Sequence, residues 1–402
     1  MKVFVVNCGS SSIKYQLFSM TTETVLAKGL MERVGSNSAV LKHTTNGNRH
    51  EREVPAPDHT AGMKVILDAL TDPAMGGALK SIGEIKAVGH RVVHGGDQIH
   101  ESCLIDDRVL RIIRDLFVLS PLHNPPNLAG IEAAMAAMPG VPNVAVFDTA
   151  FLSTLPPRAH RYAVPAEWYS KYRVRRYGFH GTSHRYVTRR TAELLGKAPE
   201  QTSLITAHLG NGCSMTAVHR GQAVDHSMGM TPLEGLVMGT RSGDIDPAVV
   251  FYLSTVGLKP AEIDNGLNKR SGLLGLSELS NDMRDLLTAS AGGNEKARLA
   301  VDVFVYRVVK YIGAYYTVLP ELDAVVLTGG IGENSLPVRK MIVEQLSRLG
   351  AVLDEQRNLT TIGGKAGPIT ADGSRLAVWI VPTNEELSIA RDTRRIVEDR
   401  GV

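Results

Sequence analysis

The sequence predicts an α/β protein built of two related halves, and three observations carry that reading. Short β-branched runs alternate along the chain with segments of helical period, the pattern of strands interleaved with helices. A strand–glycine turn–strand unit occurs at Asn7-Cys-Gly-Ser-Ser-Ser12 and again, in the second half, at His208-Leu-Gly-Asn-Gly-Cys-Ser214. A third glycine turn follows an apolar strand in Ala324-Val-Val-Leu-Thr-Gly-Gly-Ile-Gly-Glu-Asn334. Hairpin tips of small residues leave backbone N–H groups available to an anion. Two such tips facing each other across similar halves would make a cleft for a nucleotide, whereas two ordinary hairpins would make none.

In chain order, Val3–Val6 and Ile13–Phe18 read as the strands of the first hairpin, and Ala61–Leu70 as a helix. Ala87–Val93 is a strand, Asp107–Leu119 and Leu128–Met138 are helices, and the joints Pro121–Pro126 and Pro139–Pro142 punctuate them. Val144–Asp148 is the next strand, after which a Pro- and aromatic-rich stretch from Leu155 to Trp168 separates the halves. The second half opens with a helix at Ser183–Leu195 and the hairpin Leu204–His208 with Met215–His219. Helices follow at Pro247–Thr255 and Glu295–Leu319, a strand at Ala324–Thr328, a helix at Pro337–Leu349, a strand at Leu376–Val381 and a helix at Asn384–Glu398. Gly292-Gly293 and Gly363-Gly364 read as loops.

Composition narrows the function. The 402 residues carry 44 Lys+Arg against 41 Asp+Glu, a net charge of +3 that argues against recognition of nucleic acid or membrane surfaces by bulk charge. Three cysteines make no disulfide framework and no zinc spacing. The apolar run at the N-terminus is too short for a signal peptide, and Asp302, Arg307 and Lys310 interrupt the most apolar helical stretch. A reduced, cytoplasmic protein is expected. Neither a GxGxxG fingerprint nor a GxxxxGK[ST] loop is present, so a dinucleotide fold and a P-loop are both excluded.

Chemistry-bearing residues gather at strand ends and glycine turns, where open α/β sheets place their ligands. Ser10, Ser12 and Lys14 sit on the first hairpin, and His208, Asn211 and Gly212 on the second. Arg91 and Arg241 lie beside glycines, where a planar guanidinium fork suits a carboxylate or phosphoryl group as well as a structural ion pair. Asp148 closes an apolar strand and reads as a base, a nucleophile, a metal-side group or simply a turn cap. Thr383 and Glu386 fit a capping box, which frees Glu385 for Mg²⁺ or leaves it a solvated first-turn acid. His180 and His184 are four apart, but Gly181 and the Thr-Ser cap between them argue against a metal pair; His180 suits hydrogen bonding to a transferring group. The run Lys171–Arg176 reads as a solvated face.

The blocks Asn7–Lys14, His90–Gly96, Pro121–Asn127, Phe147–Phe151, Tyr177–His184, Ala207–Gly212, Thr231–Pro247, Asn268–Gly275, Ser280–Asp285, Thr328–Asn334 and Thr383–Glu386 together resemble the acetate kinase family over essentially the whole chain. That resemblance implies the acetate and sugar kinase, Hsp70 and actin superfamily: two duplicated ribonuclease-H-like domains, residues 1–150 with 385–402 and residues 151–384, with an interdomain nucleotide cleft. It implies a homodimeric enzyme that makes acetyl phosphate and ADP from acetate and ATP by direct in-line transfer, using Mg²⁺ or, alternatively, Mn²⁺. By the same resemblance Asn7 and Glu385 surround the metal, and Ser10, Ser12 and Lys14 meet nucleotide phosphates. His208, Leu209, Gly210, Asn211 and Gly212 cradle phosphate, while Asp282, Met283, Arg284, Gly330, Ile331, Gly332, Glu333 and Asn334 surround the nucleoside. Arg91 holds the substrate carboxylate, Val93, Leu122, Phe179 and Pro232 line a methyl pocket, and Asp148, His180 and Arg241 are catalytic. The residues after Phe151 and the thiol of Cys213 depart from the family pattern without touching that chemistry. On the same resemblance Val301, Val305, Val308, Ile312 and Tyr315 of the long helix serve either the core or a dimer face.

Three readings compete with it. A propionate kinase differs by one methylene in the pocket; a chaperone- or filament-like nucleotide switch would not need Arg91, Asp148 and Arg241 together. A phosphoenzyme route through Glu385 or Asp148 is the third.

Overall fold

Burial along the first hairpin shows why it nucleates a sheet. Lys2–Gly9 (β1) is buried at four consecutive positions, Val3 to Val6, as a central strand covered on both faces must be. Ser12–Ser19 (β2) returns antiparallel with Gly9 opposite Ser12, so the turn is tight. This computed structural model describes residues 1–401, whose contacts group into two units, Met1–Phe151 with Asn384–Val402, and Leu152–Thr383.

Unit 1 continues the meander through Thr24–Glu32 (β3), Ser36–Thr45 (β4) and Asn48–Ala56 (β5), then adds Ile85–Val92 (β6), Cys103–Leu104 (β7) and Asn143–Phe147 (β8). The sheet order is β5-β4-β3-β2-β1-β6-β8-β7, with β1, β6 and β8 parallel. Helices His59–Thr71 and Asn124–Ala137 pack together and close a core with Phe4, Val6, Ile13, Met63, Ile66 and Ala134. The C-terminal helix Glu385–Arg400 lies against β6, β1 and β8.

Unit 2 repeats the plan. Leu204–Leu209 (β9), Cys213–His219 (β10) and Gln222–His226 (β11) form the meander, followed by Ala324–Thr328 (β12), Gly367–Pro368 (β13) and Val378–Ile380 (β14). Their order is β11-β10-β9-β12-β14-β13, with β9, β12 and β14 parallel. The run β3-β2-β1-β6-β8 of unit 1 therefore matches β11-β10-β9-β12-β14 of unit 2, strand for strand and direction for direction. The duplicated α/β fold expected from the hairpin echo is present.

Differences in detail have physical causes. The strands β3 to β5 escape a search for apolar alternation because the inward positions of β4 include His43 and Thr45, while β5 buries only Ala56. The helix expected over Asp107–Leu119 tightens into a 3₁₀ turn after Asp115, and that over Pro337–Leu349 ends at Gln345. Leu155 to Trp168 lies inside unit 2 and forms part of two short helices, Pro157–His160 and Ala166–Tyr172. Val301, Val305, Val308, Ile312 and Tyr315 are all buried, so the long helix Glu295–Val318 turns that face to the core.

Candidate active site

In unit 1 the parallel strands deliver their carboxyl ends to one edge of the sheet, the usual place for ligands in such folds. Arg91 pairs in register with Val146, and the amide of Asp148, just beyond β8, donates to the Val92 carbonyl at 2.9 Å. This brings the Arg91 fork onto the buried Asp148 carboxylate: Nη2 donates to Oδ2 at 2.6 Å, and Nε to Oδ2 at 3.1 Å and Oδ1 at 3.2 Å. The pair engages Nε and Nη2, which leaves Nη1 for a second carboxylate. Burial works against the Arg91 charge, but Asp148, Glu385 and Glu386 outweigh it and hold its pKa above the usual arginine value.

Glu385 opens the C-terminal helix beside this pair. Burial, reinforced by the charges of Asp148 and Glu386, raises its pKa to about 7 against the pull of Arg91 and Lys14. The expected capping box is absent. Asn384 is the N-cap, accepting from the Leu387 amide at 3.0 Å, while Glu386 forms an ion pair with Lys14 and Thr383 bonds elsewhere. An Asn already sits at the cap, so the second acid is released to a cation on β2. Lys14, opposite Asn7 in the hairpin register, is thus tied to Glu386. Ser10 is exposed at the tip, and His59 Nε2 hydrogen-bonds the Gly9 carbonyl at 2.8 Å, fixing the turn from behind.

Asn7 and Glu385 offer the hard oxygen donors that Mg²⁺ takes. Among the described residues no three His, Cys, Asp or Glu side chains form a closed cage. Mg²⁺ commonly binds through one or two carboxylates together with substrate phosphates, so the residues present fit it. Glu385, crowded by two other carboxylates, is the acid in this cluster whose charge a cation would relieve.

Unit 2 holds the second hairpin tip. Gly210 donates to the Gly212 carbonyl at 3.1 Å, and the Gly239 amide donates to the Asn211 carbonyl at 2.9 Å. A Cβ on Gly239 would stand 2.1 Å from Asn211 Oδ1, so a larger residue there would displace the Asn211 side chain from the tip. A cavity of about 680 Å³ is lined by Gly210, Asn211, Asp282, Met283, Arg284, Gly330, Ile331 and Asn334 from the expected set, a size suited to a small ligand. Asn281, Leu287, Ser335 and Pro337 also line it and were not anticipated. Gly332 and Glu333 do not. The Glu333 carboxylate turns inward and accepts from Gly329 N at 2.9 Å, Thr328 Oγ1 at 3.0 Å and Thr383 N at 3.0 Å, which ties the glycine turn to the chain before the last helix. Arg284 forks onto Asp282 at the rim, and those bonds lower the Asp282 pKa to about 2.

Arg241 is partly buried and faces no carboxylate. Its Nη1 donates to the Pro232 carbonyl at 2.9 Å and approaches Met238 Sδ at 3.6 Å, and burial lowers its pKa. A Cβ built on Gly212 would lie 3.9 Å from this Nη1 and 3.3 Å from His180 Nε2, so both side chains border the tip glycine. His180 precedes the helix Gly181–Leu194 with φ of 58°, and its ring lies tilted against that of His208 with centroids 4.5 Å apart. Its Nδ1 meets Ser214 Oγ at 2.9 Å, and His208 Nδ1 meets Ser183 Oγ at 2.8 Å. His184, Thr206 and Ser214 join this network and were not anticipated as a group. Their signal was polar residues at alternate positions of β9 and β10 (Thr206, His208, Ser214 and Thr216) in otherwise apolar strands. Of the expected methyl-pocket residues, Val93 and Phe179 are buried, Pro232 is partly buried and Leu122 is 60% exposed.

Known proteins resemble this chain along nearly its whole length. A family model described as the Acetokinase family matches residues 2–391. The acetate kinase of Thermotoga maritima is 53% identical over 403 residues, covering 100% of both chains. The crystal structure of the Porphyromonas gingivalis acetate kinase superposes with a TM-score of 0.94 at 45% identity, covering 98% of this chain and 99% of that one. A propionate kinase from Francisella tularensis superposes with a TM-score of 0.92 at 40% identity, over 98% and 99% of the two chains.

Proposed function

The chain belongs to the acetokinase family and phosphorylates acetate with ATP to give acetyl phosphate, and from that premise we propose that its two units divide the work. Unit 1 handles the acid and the metal-bound phosphates; unit 2 handles the nucleoside and the charge that builds during transfer. The single observation that supports this division is the cavity whose lining unites Asn211, Asp282–Arg284 and Gly330, Ile331 and Asn334, segments far apart in sequence.

The acceptor is already a carboxylate, so attack on the γ-phosphorus needs no general base. The difficulty is to bring one anion against another, and positioning with charge neutralisation supplies most of the rate in such transfers. Arg91 Nη1 is assigned to the acetate carboxylate, with Asp148 holding the guanidinium in place. Both Asp148 oxygens accept from that fork, which blunts the carboxylate as a nucleophile and supports direct in-line transfer over an aspartyl-phosphate. Arg241 and His180 are assigned to the equatorial oxygens of the transferring group, and Ser10, Ser12, Lys14 and His208–Gly212 to the phosphates. Asn7 and Glu385 would hold Mg²⁺, which when bound neutralises phosphate charge. Val93, Leu122, Phe179 and Pro232 are assigned to the methyl group.

Two finer points belong to the same reading. The helix Ala248–Thr255 has no buried residue and exposes Phe251 and Tyr252 at 71% and 66%, beside Val249 and Val256; a second copy of the chain is proposed to cover this face, and a monomeric mass by light scattering would refute it. No helix among the described residues is long and apolar enough to cross a membrane, and ATP as co-substrate supports a cytoplasmic site of action. Propionate is the competing acid because the match includes a propionate kinase and one methylene is worth only about 1–3 kcal/mol. Hydroxylamine trapping of the acyl phosphate with acetate, propionate and butyrate tests the reading. The expected order of kcat/KM is acetate, propionate, butyrate, and a preference for propionate would reassign the acid.

A further inference from the structure

Two imidazoles and two hydroxyls form a continuous chain in unit 2. His180 Nδ1 lies 2.9 Å from Ser214 Oγ, Ser214 Oγ lies 2.8 Å from His184 Nε2, and His184 Nδ1 lies 2.7 Å from Thr206 Oγ1. His184, Ser214 and Thr206 are fully buried, and burial beside His208 keeps the His184 pKa well below its usual value, so its ring is neutral. A neutral imidazole has one N–H and one lone pair, and a serine hydroxyl has one proton. A serine oxygen can also accept twice, but among the described residues the buried Ser214 Oγ has no bonding partner beyond these two rings, so once one ring donates to it its own proton goes to the other.

The Thr206 end decides which. If Thr206 donates to His184 Nδ1, the bond is 2.7 Å; if it accepts there, its own proton has only the Thr216 carbonyl, 3.5 Å away, beyond a useful hydrogen bond. A buried hydroxyl donor is not left unpaired when a good acceptor is in reach. Thr206 then donates to His184 Nδ1, His184 Nε2–H donates to Ser214 Oγ, and Ser214 donates to His180 Nδ1.

We propose that Ser214 and His184 are positioning residues that hold His180 as the neutral Nε2–H tautomer, so that a hydrogen-bond donor, and not a lone pair, faces the phosphoryl group at the Gly212 tip. This rests on the assignment of His180 to the transferring group. A lone pair at Nε2 would repel the equatorial oxygens; an N–H there stabilises them without the ring first having to take up a proton. The sequence pair His180 and His184, which suggests a metal site at first sight, serves instead through the serine between them.

Histidine-selective ¹⁵N labelling of the full enzyme reads the tautomer, with the His180 signal identified by its loss in His180→Gln. The expected result is Nε2–H in the unaltered enzyme. Ser214→Ala is expected to lose that preference and about 10- to 100-fold in kcat, with KM for ATP and acetate unchanged and Ser214→Thr restoring much of the rate. An Nδ1–H His180 in the unaltered enzyme overturns the relay whether or not the variants fold, and so does a Ser214→Ala enzyme within about twofold of normal kcat while His180→Ala is crippled. A His180→Ala enzyme that keeps most of its turnover overturns the assignment of His180 itself.

Discussion

A buried guanidinium has five donors to satisfy, and the chain contains two contrasting solutions. Arg339 is fully buried and spends its fork on backbone, with Nε to the Gly332 carbonyl at 2.7 Å and Nη1 to the Thr361 carbonyl at 2.8 Å, while Nη2 reaches Glu333. Arg241 has one carbonyl and one thioether for Nη1 and no carboxylate. Arg241 is only partly buried, and holding a partly desolvated charge with so few partners costs stability unless an anion completes it. The two arginines are therefore expected to fail differently. Arg241→Ala should lose about 10³-fold in kcat, as for other arginines that stabilise phosphoryl transfer, with its thermal midpoint unchanged or raised. Arg339→Ala should lower the midpoint steeply through orphaned carbonyls and a void. Paired kinetic and melting measurements check this, and an Arg241→Ala enzyme within tenfold of normal rate would end its catalytic assignment. Lysine at 241 should recover only part of the rate, since it offers a point charge in place of a fork.

At the scale of elements, glycine sets how closely the C-terminal helix approaches the sheet. A Cβ on Gly89 of β6 would stand 2.4 Å from Thr393 Oγ1 and 2.7 Å from Ile389 Cγ2. Gly89→Ala should push that helix outward, and Glu385 and Glu386 at its start would move with it. A loss of about 1–3 kcal/mol is expected from overpacking, together with a fall in kcat; chemical unfolding and steady-state rates measure both, and an unperturbed rate would mean the helix start is held by other contacts. Elements that announce themselves locally were legible in the sequence, including both hairpins, the apolar strands ending at Arg91 and Asp148, and the glycine turn at Gly329–Asn334. The β3–β5 meander was not, because polar residues fill inward positions of β4. Its one local signal was Asn46-Gly47, both at positive φ (48° and 81°), a hairpin turn pair. The capping reading at Thr383 and Glu386 failed for a related reason: Asn384 competes for the same role, and only the fold shows that Lys14 lies within reach of Glu386. The histidine relay was hidden likewise, since a spacing of four shows which residues are near but not that Ser214 from another strand stands between them.

For the whole molecule the buried histidines govern acid stability. Burial lowers the pKa of His90 and of His94 to about 4, against the opposing Asn143 hydrogen bond at His90 and the Asp97 charge at His94. In unit 2 burial holds His184 and His226 well below their usual value, and each is lowered further by neighbouring histidine charge. The sign follows from linkage. In the unfolded chain these rings bind a proton near their ordinary pKa of about 6.5, whereas in the folded chain they stay neutral to a much lower pH. Between about pH 6.5 and 4 the unfolded state therefore binds more protons, and stability falls as pH falls. Each histidine costs about 1.4 kcal/mol per pH unit across that window. In unit 1 His90 and His94 together remove on the order of 4 kcal/mol by pH 5, a large part of the 5–15 kcal/mol of an ordinary domain, and Glu385, raised to about 7 in the folded chain, returns part of it by taking up a proton over the same window. Urea midpoints should be nearly flat from pH 8 to 7 and drop steeply below 6.5 in both units. Replacing His90 with Gln, which keeps a donor toward Asn143 but takes up no proton, should flatten the slope in unit 1 alone, and an unchanged slope there would remove His90 from the account.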